Sequence, residues 1–267
     1  MSMSAVTLAE APRARRAGPT LGRFLAEGMR VAVASARALT VREYADPFTH
    51  RLAQLVPGMQ QRGNLALMRR ALTEMPDAGV VLEIGCFAGR SSCLLTYLLD
   101  QQERPHRLVA CDPWDYSFKG LVDAPLGTST VSGAAWGEHA AHIYREHVGF
   151  FCAHRLPHTF RLSSDDLFAR WGTAPLLDVF GRTVTLAGSI AFAFIDGNHD
   201  YAHVSADMRN TDARLLPGGL MLLDDSACLT GSAGVRRAAA EWVSTRTSTY
   251  EIVAREPNVL LRKRAAA

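Results

Sequence analysis

The chain has no run of apolar residues long enough to cross a membrane. A spanning helix needs about 20 consecutive apolar residues, and the most apolar part of the N-terminal region is interrupted by Glu27, Arg30 and Arg37. These charges also argue against a secretory signal peptide. We therefore expect a protein that makes no use of a membrane.

The chain also lacks an excess of charge of one sign. Its 29 basic and 26 acidic residues give a net charge of +3, and its one dense basic cluster is Arg13–Arg16. Proteins that bind nucleic acids usually present a more strongly basic face. We therefore expect no nucleic-acid partner.

The five cysteines show no pairwise spacing typical of a metal or redox site. They are Cys86, Cys93, Cys111, Cys152 and Cys228. A cytoplasmic, reducing location is the expectation that follows.

Two motifs of common enzyme classes are missing. The G-x-S-x-G elbow of the α/β-hydrolases does not occur. The G-x-G-x-x-G turn of dinucleotide-binding enzymes is replaced by Glu83-x-Gly85-x-x-x-Gly89, between an apolar strand and a helix that starts near Ser91. Glu83 would repel a phosphate and suits an ammonium group. We predict that Glu83, Gly85, Gly89 and Ser91 contact a cofactor. An NAD(P)-dependent oxidoreductase remains a less favoured alternative.

A second apolar strand ends at Asp112 and Trp114. Asp112 follows Gly89 by 23 residues, close to the spacing of about 20 at which an acid reaches a ribose. Trp114 offers a flat face to an adenine ring. The alternative is a turn aspartate and a core tryptophan. Farther along, Ser164 and Asp165 follow a predicted strand over residues 158–163, and they either contact the base or cap the next helix.

Three acids follow two apolar strands near the end of the chain. Asp196 ends the first strand, and Asp224 and Asp225 end the second. In an open parallel sheet, ligands bind beyond the carboxyl ends of the strands, and Mg²⁺ prefers oxygen ligands. The sequence therefore predicts a magnesium site formed by these three residues. The alternative is that each acid only caps the following helix.

The order of these motifs resembles the class I S-adenosylmethionine-dependent methyltransferases. The shared order is E-x-G-x-x-x-G, an Asp after the second strand, F-I-D-G-x-H-x-Y, and L-x-P-G-G-x-x-x-x-D-D. The stretch 194–226 is most similar to the small-molecule O-methyltransferases that act on macrocin, mycinamicin and novobiocin sugars. The resemblance extends from Gly79 to the C-terminus.

The resemblance implies an α/β fold: a Rossmann-like sheet of seven mostly parallel strands, with the last antiparallel and helices on both faces. Tyr250–Ala254 and Val259–Arg262 then form the closing hairpin. It further implies that Asp196 contacts both cofactor and metal and takes part in catalysis. His199 occupies the position of the general base, although a structural histidine that caps a helix is the alternative. Asn198 departs from relatives with an acid there.

Residues 19–78 precede the resemblance and have helical periodicity. Helices predicted over Leu21–Ala38, Val41–Val56 and Leu65–Met75 form an N-terminal cap. Residues 1–18 are expected to be a disordered tail, and residues 79–267 form the catalytic domain. The long segment 115–154, with a helix over Ala134–Phe151, is predicted to face the substrate.

We thus expect an enzyme that uses S-adenosylmethionine and Mg²⁺ to methylate a hydroxyl of a small molecule. A metal-independent methyltransferase acting on nitrogen or carbon is the main alternative. By resemblance, a homodimer is expected. The sequence does not identify the acceptor.

Overall fold

The computed structural model describes residues 46–61, 63–116, 131–226 and 232–265. The predicted tail, the predicted helix Leu21–Ala38 and Cys228 lie outside these residues. The described helices are α1 (Pro47–Leu55), α2 (Asn64–Glu74), α3 (Arg90–Gln101), α4 (Gly133–Phe151), α5 (Ser164–Arg170), α6 (Tyr201–Asp212) and α7 (Ala233–Thr245). The strands are β1 (Val80–Ile84), β2 (Leu108–Cys111), β3 (His158–Phe160), β4 (Pro175–Leu177), β5 (Thr183–Thr185), β6 (Ile190–Ile195), β7 (Leu215–Leu223), β8 (Tyr250–Ala254) and β9 (Val259–Lys263).

Seven strands form one sheet in the order β3-β2-β1-β6-β7-β9-β8. Neighbouring strands from β3 through β7 pair in parallel, whereas β9 is antiparallel to both β7 and β8. Six strands therefore point the same way and the last one opposes them, as predicted. The strands that carry the three acids, β6 and β7, are neighbours, so their carboxyl ends meet at one edge.

Helices cover both faces of the sheet, which explains the continuous apolar runs in its central strands. Every residue of β6 is buried, as expected for a parallel strand between two layers of helices. One core cluster joins the sheet to α1–α4 and includes Leu72 and Leu94. The other joins it to α5–α7 and includes Met208 and Trp242.

The predicted helix Leu65–Met75 falls within the described residues, and the predicted helix Val41–Val56 does so from residue 46 onward. Helix α1 begins at Pro47, where the Asp46 carboxylate accepts hydrogen bonds from Phe48 N and Thr49 N. Helix α2 matches the predicted helix within one residue at each end. Both pack in the same core cluster as α3 and α4, which places this N-terminal section against the sheet.

Some elements differ from the sequence prediction. The strand after α4 ends at Phe160 rather than at residue 163. Ser163 instead caps α5, because its hydroxyl accepts a hydrogen bond from Asp166 N. The short antiparallel pair β4–β5 was not predicted, because strands of three residues are too short to show a period of two. Within the described residues, no helix is long and apolar enough to cross a bilayer.

Candidate active site at the carboxyl edge of the sheet

The glycine turn after β1 lies directly against the end of β6. Gly85 has φ +82°, and a Cβ there would overlap the carbonyl oxygen of Asp196. Asp196 N in turn donates to Ile84 O at 2.8 Å. Gly89 has φ +97° and lies against Val148 of α4, at 2.6 Å from the position of a Cβ. Both glycines are therefore required by packing, and Gly85 joins the predicted cofactor turn to the first acid.

Glu83 is a buried acid one residue before the end of β1. The Ser92 hydroxyl donates to its Oε2, whereas Oε1 has no hydrogen-bond partner among the described residues. Burial raises the pKa of Glu83 to about 7, although the hydroxyls of Ser91 and Ser92 oppose the rise. A positively charged ligand group near Oε1 would favour the carboxylate. This unpartnered oxygen fits the predicted ammonium contact.

Asp112 connects the end of β2 to the glycine turn through hydrogen bonds. Its Oδ2 accepts hydrogen bonds from Cys86 N at 3.0 Å and Phe87 N at 2.9 Å, and its Oδ1 accepts one from Trp114 N at 2.7 Å. Burial raises the pKa of Asp112, and these three N–H groups oppose the rise. A ribose hydroxyl would have to share the carboxylate with these donors.

Trp114 lies in the core and is not open to a ligand in this structure. Its indole N–H donates to Phe87 O at 2.7 Å, and its ring packs against Tyr144 with 5.2 Å between centroids. The side chain is buried. The structure thus gives Trp114 a packing role, and stacking on an adenine ring would require these contacts to open.

Ser164 and Asp165 are tied to α6. The Ser164 hydroxyl donates to Asp207, and Asn210 Nδ2 donates to Asp165 Oδ1 at 2.9 Å. Asp207 is buried, and burial raises its pKa to about 7. Sequence reasoning missed Asp207, because an acid inside a helix gives no sign of facing the sheet until the fold is known.

Asp196, His199 and Asp225 come together at this edge. One ligand atom from each lies within 4.8 Å of the other two. His199 Nε2 is 3.2 Å from Asp225 Oδ2 and 3.7 Å from Asp196 Oδ1. The exposed fraction of the side chain is 46 % for His199, 25 % for Asp225 and 24 % for Asp196. Because metal–oxygen distances for Mg²⁺ are about 2.1 Å, neighbouring ligands of one ion are about 3–4 Å apart. The group is close to that spacing.

Asp224, the third predicted metal ligand, is more deeply buried than the other two acids. Its Oδ1 accepts hydrogen bonds from Asn64 Nδ2 at 2.8 Å, Asn258 Nδ2 at 2.6 Å and Asp225 N at 2.8 Å. Burial raises the pKa of Asp196 well above its usual range, and the charges of Asp224 and Asp225 raise it further. A divalent cation would offset this repulsion, so the donor set fits such an ion.

Sequence reasoning did not assign to the acids the three amide side chains that hold them. Gln61 Nε2 donates to Asp225 Oδ1, while Asn64 and Asn258 donate to Asp224. They come from the start of α2 and from the turn between β8 and β9, where Gly63 lies so close to Pro257 that a Cβ would overlap its ring. Contacts between segments this far apart in the chain leave no local signal.

Residues 82–226, more than half of the chain, match the family described as "Methyltransferase domain". The chain belongs to this methyltransferase family. The match decides against the NAD(P)-dependent oxidoreductase alternative. No curated protein sequence matches the chain.

Solved structures of several O-methyltransferases share the fold. The O-methyltransferase NovP has a TM-score of 0.50 and 16 % identity, covering 76 % of this chain and 80 % of NovP. The O-methyltransferase from Bacillus cereus, in complex with SAH, has a TM-score of 0.52 and 14 % identity, covering 88 % and 97 %. TomG from Streptomyces achromogenes, involved in tomaymycin synthesis and solved with SAM, has a TM-score of 0.51 and 16 % identity, covering 88 % and 96 %.

Proposed function

We propose that this methyltransferase transfers the methyl group of S-adenosylmethionine to a hydroxyl group of a small molecule with the assistance of Mg²⁺. The observation that carries the proposal is the meeting of His199, Asp196 and Asp225 beside the glycine turn. A candidate base and a candidate cation site thus lie next to the predicted cofactor turn, at the edge where open parallel sheets bind ligands.

The cofactor part of the proposal rests on the elements around the glycine turn. S-adenosylmethionine, when bound, supplies an electrophilic methyl group on a sulfonium and also carries an ammonium group. Glu83 Oε1 is the acceptor that fits the ammonium. The other residues proposed for this site are Gly85, Gly89, Ser91, Asp112, Ser164, Asp165 and Asp196, and Trp114 would join them if its contacts with Phe87 and Tyr144 opened. SAM or SAH is present in two of the similar structures, which supports the same choice of cofactor.

The residues of the chain then have two tasks in an in-line displacement. They must align the acceptor oxygen with the methyl group, since alignment lowers the barrier substantially, and they must remove the hydroxyl proton. His199 is partly exposed, so its imidazole can accept that proton, and Asp225 Oδ2, at 3.2 Å from Nε2, stabilises the imidazolium that forms. The new bond joins the acceptor oxygen to the methyl carbon, and the sulfonium leaves as a thioether.

The cation part of the proposal assigns Asp196, Asp225 and Asp224 as the residues that would hold Mg²⁺. Bound there, the ion would act as a Lewis acid that lowers the pKa of the acceptor hydroxyl. Asp196 and Asp225 are partly exposed, and Asp224 has one carboxylate oxygen that does not accept the amide hydrogen bonds.

A metal-independent N- or C-methyltransferase is the second candidate function. It is favoured by one observation, namely that three N–H donors already satisfy Asp224 Oδ1 without any cation. In that case, Asp224 is a structural acid.

Methyl-transfer assays separate the two candidates. The chain is incubated with S-adenosylmethionine carrying an isotopically labelled methyl group and with panels of sugars, phenols and amines, in Mg²⁺ or in EDTA. We expect labelled products from hydroxylated acceptors that disappear in EDTA and return with added Mg²⁺. Labelled amines, or transfer that persists in EDTA, would instead support the second candidate.

A further inference from the structure

A buried polar contact joins three distant parts of the chain at the proposed cation site. Asn258 Nδ2 donates to Asp224 Oδ1 at 2.6 Å and to Asn64 Oδ1 at 2.7 Å, and Asn64 Nδ2 donates to Asp224 Oδ1 at 2.8 Å. All three side chains are buried. They belong to the start of α2, the end of β7 and the turn between β8 and β9.

Both amides are held in place by their own surroundings. Asn258 Oδ1 accepts a hydrogen bond from Ser226 N at 3.0 Å, which fixes the orientation of the amide. Asn64 follows Gly63, whose positive φ and contact with Pro257 bring the start of α2 against the hairpin turn. Neither amide can rotate away without losing several hydrogen bonds in the interior, where an unsatisfied donor or acceptor is costly.

The two oxygens of the Asp224 carboxylate differ, because both amides donate to Oδ1. Oδ1 accepts three N–H groups, so the plane of the carboxylate is fixed. Asp224 N donates to Ile195 O at 3.0 Å, and Asp196 follows Ile195, so the two acids stand side by side at the ends of neighbouring strands. The same N-terminal segment also reaches Asp225, to which Gln61 donates a hydrogen bond. The cap therefore makes polar contacts with two of the three acids.

We propose that Asn64 and Asn258 are positioning residues that present the second oxygen of Asp224 to a cation shared with Asp196 and Asp225, and that they thereby couple docking of α2 to cation binding. The inference rests on the cation of the proposed function. Coupling between two sites is reciprocal, so a cation that binds the docked arrangement better must stabilise the contact between α2 and the hairpin turn. Residues that orient metal ligands typically contribute about 10–100-fold to metal affinity.

The test uses the full chain and Mn²⁺ as the spectroscopic probe of the cation site. The variants Asn64→Ala and Asn258→Ala remove the buried N–H donors. Gln102→Ala is the matched control, because Gln102 Nε2 donates a similar bond to the carbonyl oxygen of Arg69 in α2 at an exposed position. Mn²⁺ affinity is measured by electron paramagnetic resonance, and S-adenosylhomocysteine affinity by calorimetry. We expect the two buried variants to lose about 10–100-fold in Mn²⁺ affinity, with little change in nucleoside affinity, and the control to resemble the wild type.

A second measurement needs no variant. Hydrogen exchange of the α2 amides is compared in the wild-type chain with and without Mg²⁺, and we expect Mg²⁺ to slow it. Unchanged Mn²⁺ affinity in both buried variants would overturn the positioning role. So would a loss of nucleoside affinity as large as the loss of Mn²⁺ affinity, or hydrogen exchange of the α2 amides that Mg²⁺ does not slow. A wild-type chain that binds the nucleoside but no Mn²⁺ would overturn both this role and the cation of the proposed function. The two failures are therefore distinguishable.

Discussion

The imidazole of His199 and the carboxylate of Asp225 lie side by side, with 3.2 Å between Nε2 and Oδ2. They come from the loop after β6 and the end of β7, and adjacent parallel strands bring these two segments together. The pair combines an imidazole, which can accept a proton, with a carboxylate that stabilises the protonated form. Whether His199 acts as a base or as a cation ligand is the first question that the arrangement raises.

Replacement of His199 answers that question. We expect His199→Gln to lower the rate of methyl transfer by about 10²–10⁴-fold, the usual contribution of a general base, while Mn²⁺ affinity stays near that of the wild type. The control is His203→Gln, because His203 is an exposed histidine of the following helix. A parallel loss of Mn²⁺ affinity would instead make His199 a cation ligand, and unchanged transfer would make it structural.

Replacement of Asp225 tests the cation site itself. Asp225 supplies a carboxylate oxygen, the ligand type that Mg²⁺ prefers, within 4.8 Å of the ligand atom of Asp196. We therefore expect Asp225→Asn to weaken Mg²⁺ binding by at least about 100-fold, more than the loss of an orienting residue. Calorimetry measures this affinity. Asp77→Asn removes an exposed acid that pairs with Arg104 and should leave Mg²⁺ binding unchanged. Equal affinities in the two variants would remove Asp225 from the site.

Glu83 should make stability depend on pH. Its pKa is raised from 4.5 to about 7 in the folded chain, so the folded state holds this proton more tightly than the unfolded state. Its contribution to the free energy of unfolding is complete below about pH 4.5 and is lost as the pH rises through about 7, by up to about 3 kcal/mol.

Denaturant unfolding at pH 5 and pH 8 measures this effect. We expect Glu83→Gln to lose less stability between the two values than the wild type does, and the exposed Glu146→Gln to behave like the wild type. The contribution of Asp207, which is also raised to about 7, cancels in the comparison. Identical pH dependence in all three chains would show that Glu83 keeps an ordinary pKa.

The glycine turn allows a matched test of close packing against backbone strain. Gly85 and Gly172 both have positive φ, but a Cβ at Gly85 would overlap the Asp196 carbonyl, whereas a Cβ at Gly172 would meet nothing within 4 Å. Gly172→Ala should therefore cost only the backbone strain, about 1–2 kcal/mol. Gly85→Ala should cost about 1–3 kcal/mol more because of the overlap.

The free energies of unfolding of the two variants give the comparison. Equal destabilisation would mean that the turn after β1 can move away from β6. The close packing of the glycine turn against Asp196 would then be incorrect. If Gly85→Ala is the more damaging, it should also weaken cation binding, because the displaced group is the backbone of Asp196.

Local patterns in the sequence predicted the central strands and their acids, and the resemblance to the methyltransferases implied the complete sheet. The apolar runs of β1, β6 and β7, each ending in an acid or a glycine, identify parallel strands and the edge where their carboxyl ends meet. The antiparallel hairpin β8–β9 was likewise visible as two apolar runs around a turn.

The sequence could not show which side chains hold the acids. Asn64 and Asn258 are turn residues by their local sequence, and only the folded sheet brings them to Asp224. Trp114 illustrates the opposite case, because its position suggested a ligand contact while its side chain packs on Tyr144. Packing between distant segments decides both outcomes, and no local pattern encodes it.

Calorimetric titration of the wild-type chain with S-adenosylmethionine, S-adenosylhomocysteine and Mg²⁺, in the presence and absence of EDTA, tests the metal-assisted use of S-adenosylmethionine most directly. We expect the chain to bind both nucleosides, and to bind Mg²⁺ at a separate site that Asp225→Asn removes. Binding of the nucleosides without any Mg²⁺ site would contradict the metal-assisted mechanism, and failure to bind either nucleoside would contradict the proposed use of S-adenosylmethionine.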